Sequence, residues 1–138
     1  MLRIPMLLLF TFTFTQSLFI SEYSEGSSYN KYVEIFNPTD TDEDLSGYQL
    51  WKGLNGGDWS NVIDLSGSLA SNDVYVICHS SIDEGIASLC DILSGTQTVN
   101  FNGDDAVGLA YNGALIDQIG DEGEDPGAGW SVAGTSDA

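Results

Sequence analysis

The sequence predicts an all-β fold, a sandwich of about eight short strands with one short helical turn. Short segments rich in β-branched and aromatic residues recur at regular spacing along the chain. Turn-forming residues separate them, since the 138 residues include 16 glycines beside many Asn, Asp and Ser. The hydrophobic content of 42% suffices for a folded core, and neither an internal repeat nor a linker divides the chain. We therefore expect a single β domain.

An apolar leader precedes this domain. Residues 6–14 are almost purely apolar, and Arg3 stands before them. A membrane anchor is the alternative, but a spanning helix needs about 20 apolar residues and the dense part here is about half that. We therefore predict a signal peptide at residues 1–17, no stable membrane span, and a secreted or cell-surface domain at residues 18–138.

Two strands are predicted directly after the leader. Residues 18–23 and 31–36 alternate in polarity and flank the loop SEGSSYN. Asn37 and Pro38 end the second strand, because proline has no N–H to donate to a ladder. The acidic loop TDTDEDLSG follows, so the domain is expected to begin as β-sheet.

Three further strands are predicted in the middle of the chain. Residues 47–52 form the third strand, and residues 59–65 form the fourth after the turn LNGGD. The polar segment SGSLASND leads to the fifth strand, residues 73–78, which is apolar on both faces. Because of its two apolar faces, we expect this strand at the centre of a sheet.

The remaining elements are a helical turn and three strands. Apolar residues within 82–89 have helical spacing, and residues 97–101 are predicted as a strand. Residues 106–111 and 114–119 are predicted to form a hairpin joined by Asn112-Gly113. An Asn-Gly pair between two such segments is the strongest hairpin signal in the chain.

Four sequence pieces resemble a known family when taken in order. They are ISEYSEGSSYNKYVEIFNPT at the start of the domain, DLSGY at 44–48, FNGDDAVGL at 101–109 and DPGAGW at 125–130. Together they resemble a lamin-tail domain of the type found in secreted bacterial proteins, over roughly residues 18–134. The resemblance implies an immunoglobulin-like β-sandwich. It also implies an accessory or anchoring role, since such domains occur alongside extracellular nucleases, phosphatases and other surface hydrolases.

The C-terminus departs from the resemblance. Lamin-tail domains of this kind normally continue past a GTS-like segment into a final strand, whereas this sequence stops at GTSDA. We therefore expect the lamin-tail-like domain at residues 18–138 to lack its final strand, either as a fragment or as a property of this protein.

The charge balance disfavours one class of partner. The chain has 21 Asp and Glu against 3 Lys and Arg, and Lys31 and Lys52 are the only fixed cations after the leader. A polyanion would be repelled over most of such a surface, so direct binding of nucleic acid is disfavoured. The acidic surface either provides solubility and hydration or collects Ca²⁺. The partner, an unknown protein or surface ligand, and the oligomeric state do not follow from the sequence.

One acidic segment has the beginning of a calcium motif. Asp40, Asp42 and Asp44 reproduce the D-x-D-x-D start of an oxygen-ligand loop. The pattern then departs from the EF-hand, which needs Gly where Leu45 stands and Glu where Trp51 stands. We therefore predict no cofactor other than calcium, at a looser site formed by these three aspartates.

Two cysteines are predicted to form a disulfide. Cys78 and Cys90 lie 12 residues apart in a chain expected to be exported, and an even count in an oxidising compartment favours pairing. The bridge would hold the predicted helical turn against the end of the fifth strand. Two buried free thiols are the alternative.

The sequence predicts no enzymatic activity. His79 is the only histidine, and it is interpreted as a surface residue at the end of a strand. The chain contains no GxSxG, HExxH or paired CxxC motif, and its GDEGED stretch would repel phosphate. Asp104 and Asp105 are expected to accept backbone N–H bonds in the turn after Asn102-Gly103.

Aromatic residues provide a possible binding surface. A sugar- or peptide-stacking surface is one interpretation, and core packing is the other. Core packing is expected for Trp51 and Trp130, and Trp59 is expected to be the most exposed tryptophan. The leading hypothesis is thus a secreted, non-catalytic module for binding or scaffolding. The alternatives are a calcium-dependent adhesion module and a small hydrolase or nuclease.

Overall fold

The computed structural model describes residues 18–132 and 135–136, with side chains described up to Ser131. The predicted signal peptide at residues 1–17 lies outside the described residues. The strands are β1 (Phe19–Glu25), β2 (Lys31–Phe36), β3 (Glu43–Asp44), β4 (Tyr48–Gly53), β5 (Trp59–Asp64), β6 (Ser68–Leu69), β7 (Val74–His79), β8 (Ile92–Ser94), β9 (Ala106–Tyr111), β10 (Ala114–Ile119), β11 (Ser131–Val132) and β12 (Thr135–Ser136). A short helix, α1 (Glu84–Ala87), and two 3-10 turns (Leu45–Gly47 and Gln97–Val99) complete the described elements.

Eight of these strands form two four-stranded sheets. The first sheet has the order β1-β2-β7-β8 and the second the order β10-β9-β4-β5. All pairings within them are antiparallel except β7–β8, which is parallel. The predicted immunoglobulin-like β-sandwich is confirmed, and so is the predicted central position of β7 in its sheet.

The core lies between the two sheets because each strand alternates its side chains. Val33, Ile35 and Ile77 enter it from the first sheet, and Leu50 and Leu109 enter it from the second, all with 0% exposure. Burial of a side chain of this size stabilises the fold by roughly 1.5–3 kcal/mol. The inward residues therefore also determine which side chains the outer faces present.

The β9–β10 hairpin follows its predicted turn. Asn112 and Gly113 both have positive φ, 49° and 77°, as a two-residue hairpin turn of the twist-matched type requires. At the other end of this hairpin, the backbone N–H of Ile20 donates to Asp117 Oδ2 at 2.7 Å. This bond joins the edge strands of the two sheets, β1 and β10.

The prediction of a strand at residues 97–101 is wrong. Gln97–Val99 is a 3-10 turn, and Phe101 lies in the irregular segment that follows. Thr98, Val99 and Phe101 are buried, so the apolar pattern reflects a connection that fills the interior rather than a ladder. Within the described part of the chain, no helix is long and apolar enough to cross a membrane.

Candidate binding face

The outer face of the second sheet carries a pair of tryptophans. Trp51 on β4 and Trp59 on β5 are both half-buried, with ring centroids 6.2 Å apart and ring planes inclined by 46°. Gly108 on β9 is in register with Trp51 and lies beneath the ring of Trp59. A Cβ atom added to Gly108 would lie 3.2 Å from Trp59 Cη2 and 2.6 Å from Leu115 Cδ1. The missing side chain therefore lets Trp59 and Leu115 lie close against the sheet.

Polar side chains border the two rings. Trp51 Nε1 donates to Gln49 Oε1 at 3.0 Å, and Gln49 Nε2 donates to Asp64 Oδ1 at 2.6 Å. On the other side of the face, Gln118 is in register with Gly108 and donates to Asp121 Oδ1 at 2.7 Å. The Trp51 ring is thus held in one orientation, with amide and carboxylate groups beside it.

The placement of two tryptophans differs from the prediction. Trp51 was expected in the core, but Leu50 and Lys52 point inward, so the alternation of β4 places Trp51 on the outer face. Trp130 is also only half-buried, and its Nε1 donates to the carbonyl oxygen of Asp105 at 3.0 Å. Sequence reasoning missed Gln49, although its spacing of two residues from Trp51 was a usable signal.

Two of the three aspartates of the predicted calcium site have separate backbone partners. Asp42 Oδ1 accepts from the N–H of Ser71 at 3.0 Å, and Asp44 Oδ1 accepts from the N–H of Ser46 at 2.9 Å. The second bond lowers the pKa of Asp44. Asp40 is exposed. Among the described residues, no group of three or more Asp, Glu, His or Cys side chains is placed so that it could hold a metal ion. Calcium binding by Asp40, Asp42 and Asp44 stays a prediction.

Both lysines of the described chain are buried, with 5% exposure for Lys31 and 1% for Lys52. Lys31 Nζ donates to the carbonyl oxygen of Phe101 at 2.5 Å and to Glu25 Oε1 at 3.3 Å. Since residues 18–138 contain no other Lys or Arg, the described surface presents carboxylates without a fixed cation.

Asp105 is the partner of the second buried lysine. Lys52 Nζ lies 3.4 Å from Asp105 Oδ2 and donates to the carbonyl oxygen of Asn100 at 3.0 Å. The carboxylate, 0% exposed, also accepts the backbone N–H groups of Asn55 and Asn102, each at 2.9 Å. The prediction that Asp105 accepts a backbone N–H bond in this turn is confirmed by its bond from Asn102. The same side chain also ties β4 and the turn after it to the loop before β9.

His79 lies at the end of β7, as predicted, but it is buried rather than on the surface, with 8% exposure. The Tyr29 ring stacks on its imidazole at a centroid distance of 4.4 Å. The Nδ1 atom accepts the backbone N–H of Ser81 at 3.0 Å, so the neutral ring carries its proton on Nε2. Burial, and then the charge of Lys31, lower the pKa of His79 from its usual 6.5.

This lowered pKa predicts a pH effect on stability. The unfolded chain binds a proton at His79 more readily than the folded chain does, so the unfolding free energy is expected to fall as the pH drops below about 6.5. The fall should level off once the pH is below the folded pKa. Melting temperatures across this range, beside an NMR titration of His79, measure the effect. The variant His79→Gln is expected to lack this part of the pH dependence, and an identical profile in the variant would contradict the assignment.

The predicted disulfide is confirmed between Cys78 and Cys90, whose Cα atoms are 5.9 Å apart. Cys78 is on β7, and Cys90 follows α1, the predicted helical turn. The backbone N–H of Asp91 donates to the carbonyl oxygen of Val76 at 2.9 Å, beside the bridge. The bridge therefore fixes α1 and the residues after it on the outer face of the first sheet.

Comparison with known protein families agrees with this architecture. The model of the family described as Lamin Tail Domain matches residues 13–123, most of the chain. No curated protein matches the chain. Domains of this family are immunoglobulin-like and generally non-catalytic. The chain belongs to the lamin tail domain family.

Proposed function

We propose that this lamin tail domain is a secreted, non-catalytic accessory module that binds neutral polysaccharide on the outer face of its second sheet. The observation that carries the proposal is the Trp51–Trp59 pair, two half-buried rings 6.2 Å apart on the outer face of the sheet. The apolar C–H face of a pyranose ring packs well on an indole face. Successive sugar units would contact successive rings.

The polar border supplies groups that suit sugar hydroxyls. Gln49 and Asp64 lie beside Trp51, and Gln118 and Asp121 lie on the opposite side of the face. Amides donate and accept hydrogen bonds, and carboxylates accept two at once. Because these side chains already hydrogen-bond one another, binding orders few additional groups and so costs little conformational entropy.

The charge of the chain selects among polysaccharides. The formal net charge is −18, and both lysines of the described residues are buried. An anionic polysaccharide would therefore be repelled, whereas a neutral one would be unaffected by the field. The disulfide supports an extracellular setting, in which such polymers occur.

Titration calorimetry with cello-oligosaccharides and chito-oligosaccharides tests this function, with heparin as the anionic comparison. We expect binding of a neutral oligosaccharide and none of heparin. Trp51→Ala and Trp59→Ala should each weaken binding by about tenfold or more, as loss of a central aromatic contact does. Tryptophan fluorescence should change on binding, because two of the three tryptophans line the face.

Phe19→Ala is the matched control, since Phe19 is an exposed aromatic residue of the first sheet. Its affinity should equal that of the unsubstituted protein. Melting curves of each variant separate loss of binding from loss of folding. Binding of none of these oligosaccharides, or equal weakening by the control, would refute the proposal.

A further inference from the structure

The outer face of the first sheet contains a groove of about 240 Å³, on the opposite side of the molecule from the tryptophan pair. Its lining consists of residues from β1, β2, β7 and the α1 region: Glu22, Tyr32, Glu34, Val76, Ile86 and Leu89. Val76, Ile86 and Leu89 give it an apolar wall. Leu89 is 70% exposed, the largest exposure among the large hydrophobic residues described.

The side of the groove opposite the apolar wall has two carboxylates that form no ion pair among the described residues. Glu22 on β1 and Glu34 on β2 are directly opposite each other in the strand register. Like charges placed opposite each other on a sheet destabilise it. The described ion pairs, Lys31 with Glu25 and Lys52 with Asp105, leave both groove carboxylates without a cation.

Hydroxyl groups fix both carboxylates in place. Tyr32 Oη donates to Glu22 Oε1 at 2.7 Å, and Ser21 Oγ donates to Glu34 Oε1 at 2.8 Å. The bond to Glu22, followed by burial, raises the pKa of Tyr32, so its proton stays in place as a donor. The two acceptors are therefore oriented before any ligand arrives, and the Tyr32 ring lies beside them.

We propose that this groove binds a lysine or arginine side chain on an apolar segment of a partner protein. The cation would lie between Glu22 and Glu34, where it removes the repulsion between them. The aromatic face of Tyr32 adds a cation–π contact. The neighbouring apolar side chain of the partner would cover Leu89 and Ile86.

Charge complementarity excludes an occupant from within the described chain. Both of its lysines are buried on the core side of the sheets, and neither reaches this face. A second copy would bring the same acidic surface, with the same repulsion. The acidic groove thus favours a partner of opposite charge. Binding of this partner by the first sheet is independent of polysaccharide binding by the second.

A peptide of alternating leucine and arginine is the probe, and the same peptide with citrulline in place of arginine is its uncharged match. NMR chemical-shift mapping should place the arginine peptide at Glu22, Tyr32 and Leu89. We expect the citrulline peptide to bind at least about tenfold more weakly, and rising salt to weaken only the arginine peptide. Equal binding of the two peptides would overturn the proposal.

Charge variants separate a specific site from general attraction to an acidic protein. The double variant Glu22→Gln/Glu34→Gln should bind the arginine peptide about tenfold more weakly. The control Asp40→Asn/Asp58→Asn removes the same charge from two exposed positions outside the groove and should keep the affinity. The groove variant should melt no lower than the unsubstituted protein, because it removes a repulsion. Equal weakening by the control refutes a specific site.

Leucine variants test the apolar wall. Leu89→Ser should weaken binding several-fold, whereas Leu54→Ser, at an exposed leucine in the β4–β5 turn, should not. Equal effects of the two substitutions would count against the groove.

Sedimentation of the protein alone tests whether a second copy of the chain occupies the groove instead. A dimer that Leu89→Ser dissociates would show that a second copy covers this face and would overturn the proposal.

Discussion

Replacing Lys52 with methionine is expected to lower the unfolding free energy by about 3–5 kcal/mol, a large part of the stability of a small domain. The substitution keeps most of the apolar stem but removes the ammonium group. Asp105 is then left fully buried with a charge that nothing neutralises. Its two backbone donors, Asn55 and Asn102, satisfy hydrogen bonds without cancelling the charge.

Urea unfolding of a double-mutant cycle measures this effect. Lys52→Met and Asp105→Asn should each destabilise the fold strongly. The double variant should lose less than the sum of the two, because it leaves no unpaired charge. Asp58→Asn, at an exposed carboxylate, serves as the control and should change stability by no more than about 0.5 kcal/mol. Additive effects in the cycle would show that the pair contributes no coupling.

Removing the disulfide is expected to lower the unfolding free energy by about 3 kcal/mol, because the bridge between Cys78 and Cys90, 12 residues apart, restricts the unfolded chain. The variant Cys78→Ala/Cys90→Ala should show this loss in urea unfolding without reductant. α1 has four residues, and the bridge at Cys90, three residues after it, links this segment to β7. Leu89 should therefore lose its fixed position, and the arginine peptide should bind more weakly than to the bridged protein.

Reductant provides the internal control for the disulfide. It should destabilise the unsubstituted protein to about the level of the double variant, and it should leave the double variant unchanged. Equal stability of the two proteins in oxidising buffer would contradict the predicted contribution of the bridge.

Much of the fold could be predicted because its signals are local. The two-faced apolar pattern of β7 placed that strand at the centre of a sheet, and Asn112-Gly113 set the β9–β10 hairpin. The prediction of a strand at residues 97–101 used the same kind of local signal and was wrong. A short apolar alternation does not distinguish a strand from a connection that fills the core, and there Thr98 and Phe101 are simply buried.

The candidate binding face and the buried charges depend on contacts between distant residues. Alternation along β4 puts Lys52 on the same side as Leu50, but a lysine in the core makes sense only with a partner. That partner, Asp105, is 53 residues away. The floor under Trp59 likewise comes from Gly108 on another strand. Such pairs become visible only once the sheets are assembled.

The burial of both lysines also bears on how the folded domain resists proteolysis. Trypsin-like proteases must insert a lysine or arginine side chain into a specificity pocket, with the flanking backbone extended in their active site. In the described residues the only such side chains, Lys31 and Lys52, are enclosed by the sandwich, at 5% and 1% exposure. Cleavage after either lysine therefore requires the two sheets to separate first. The folded domain thus presents no basic cleavage site on its described surface.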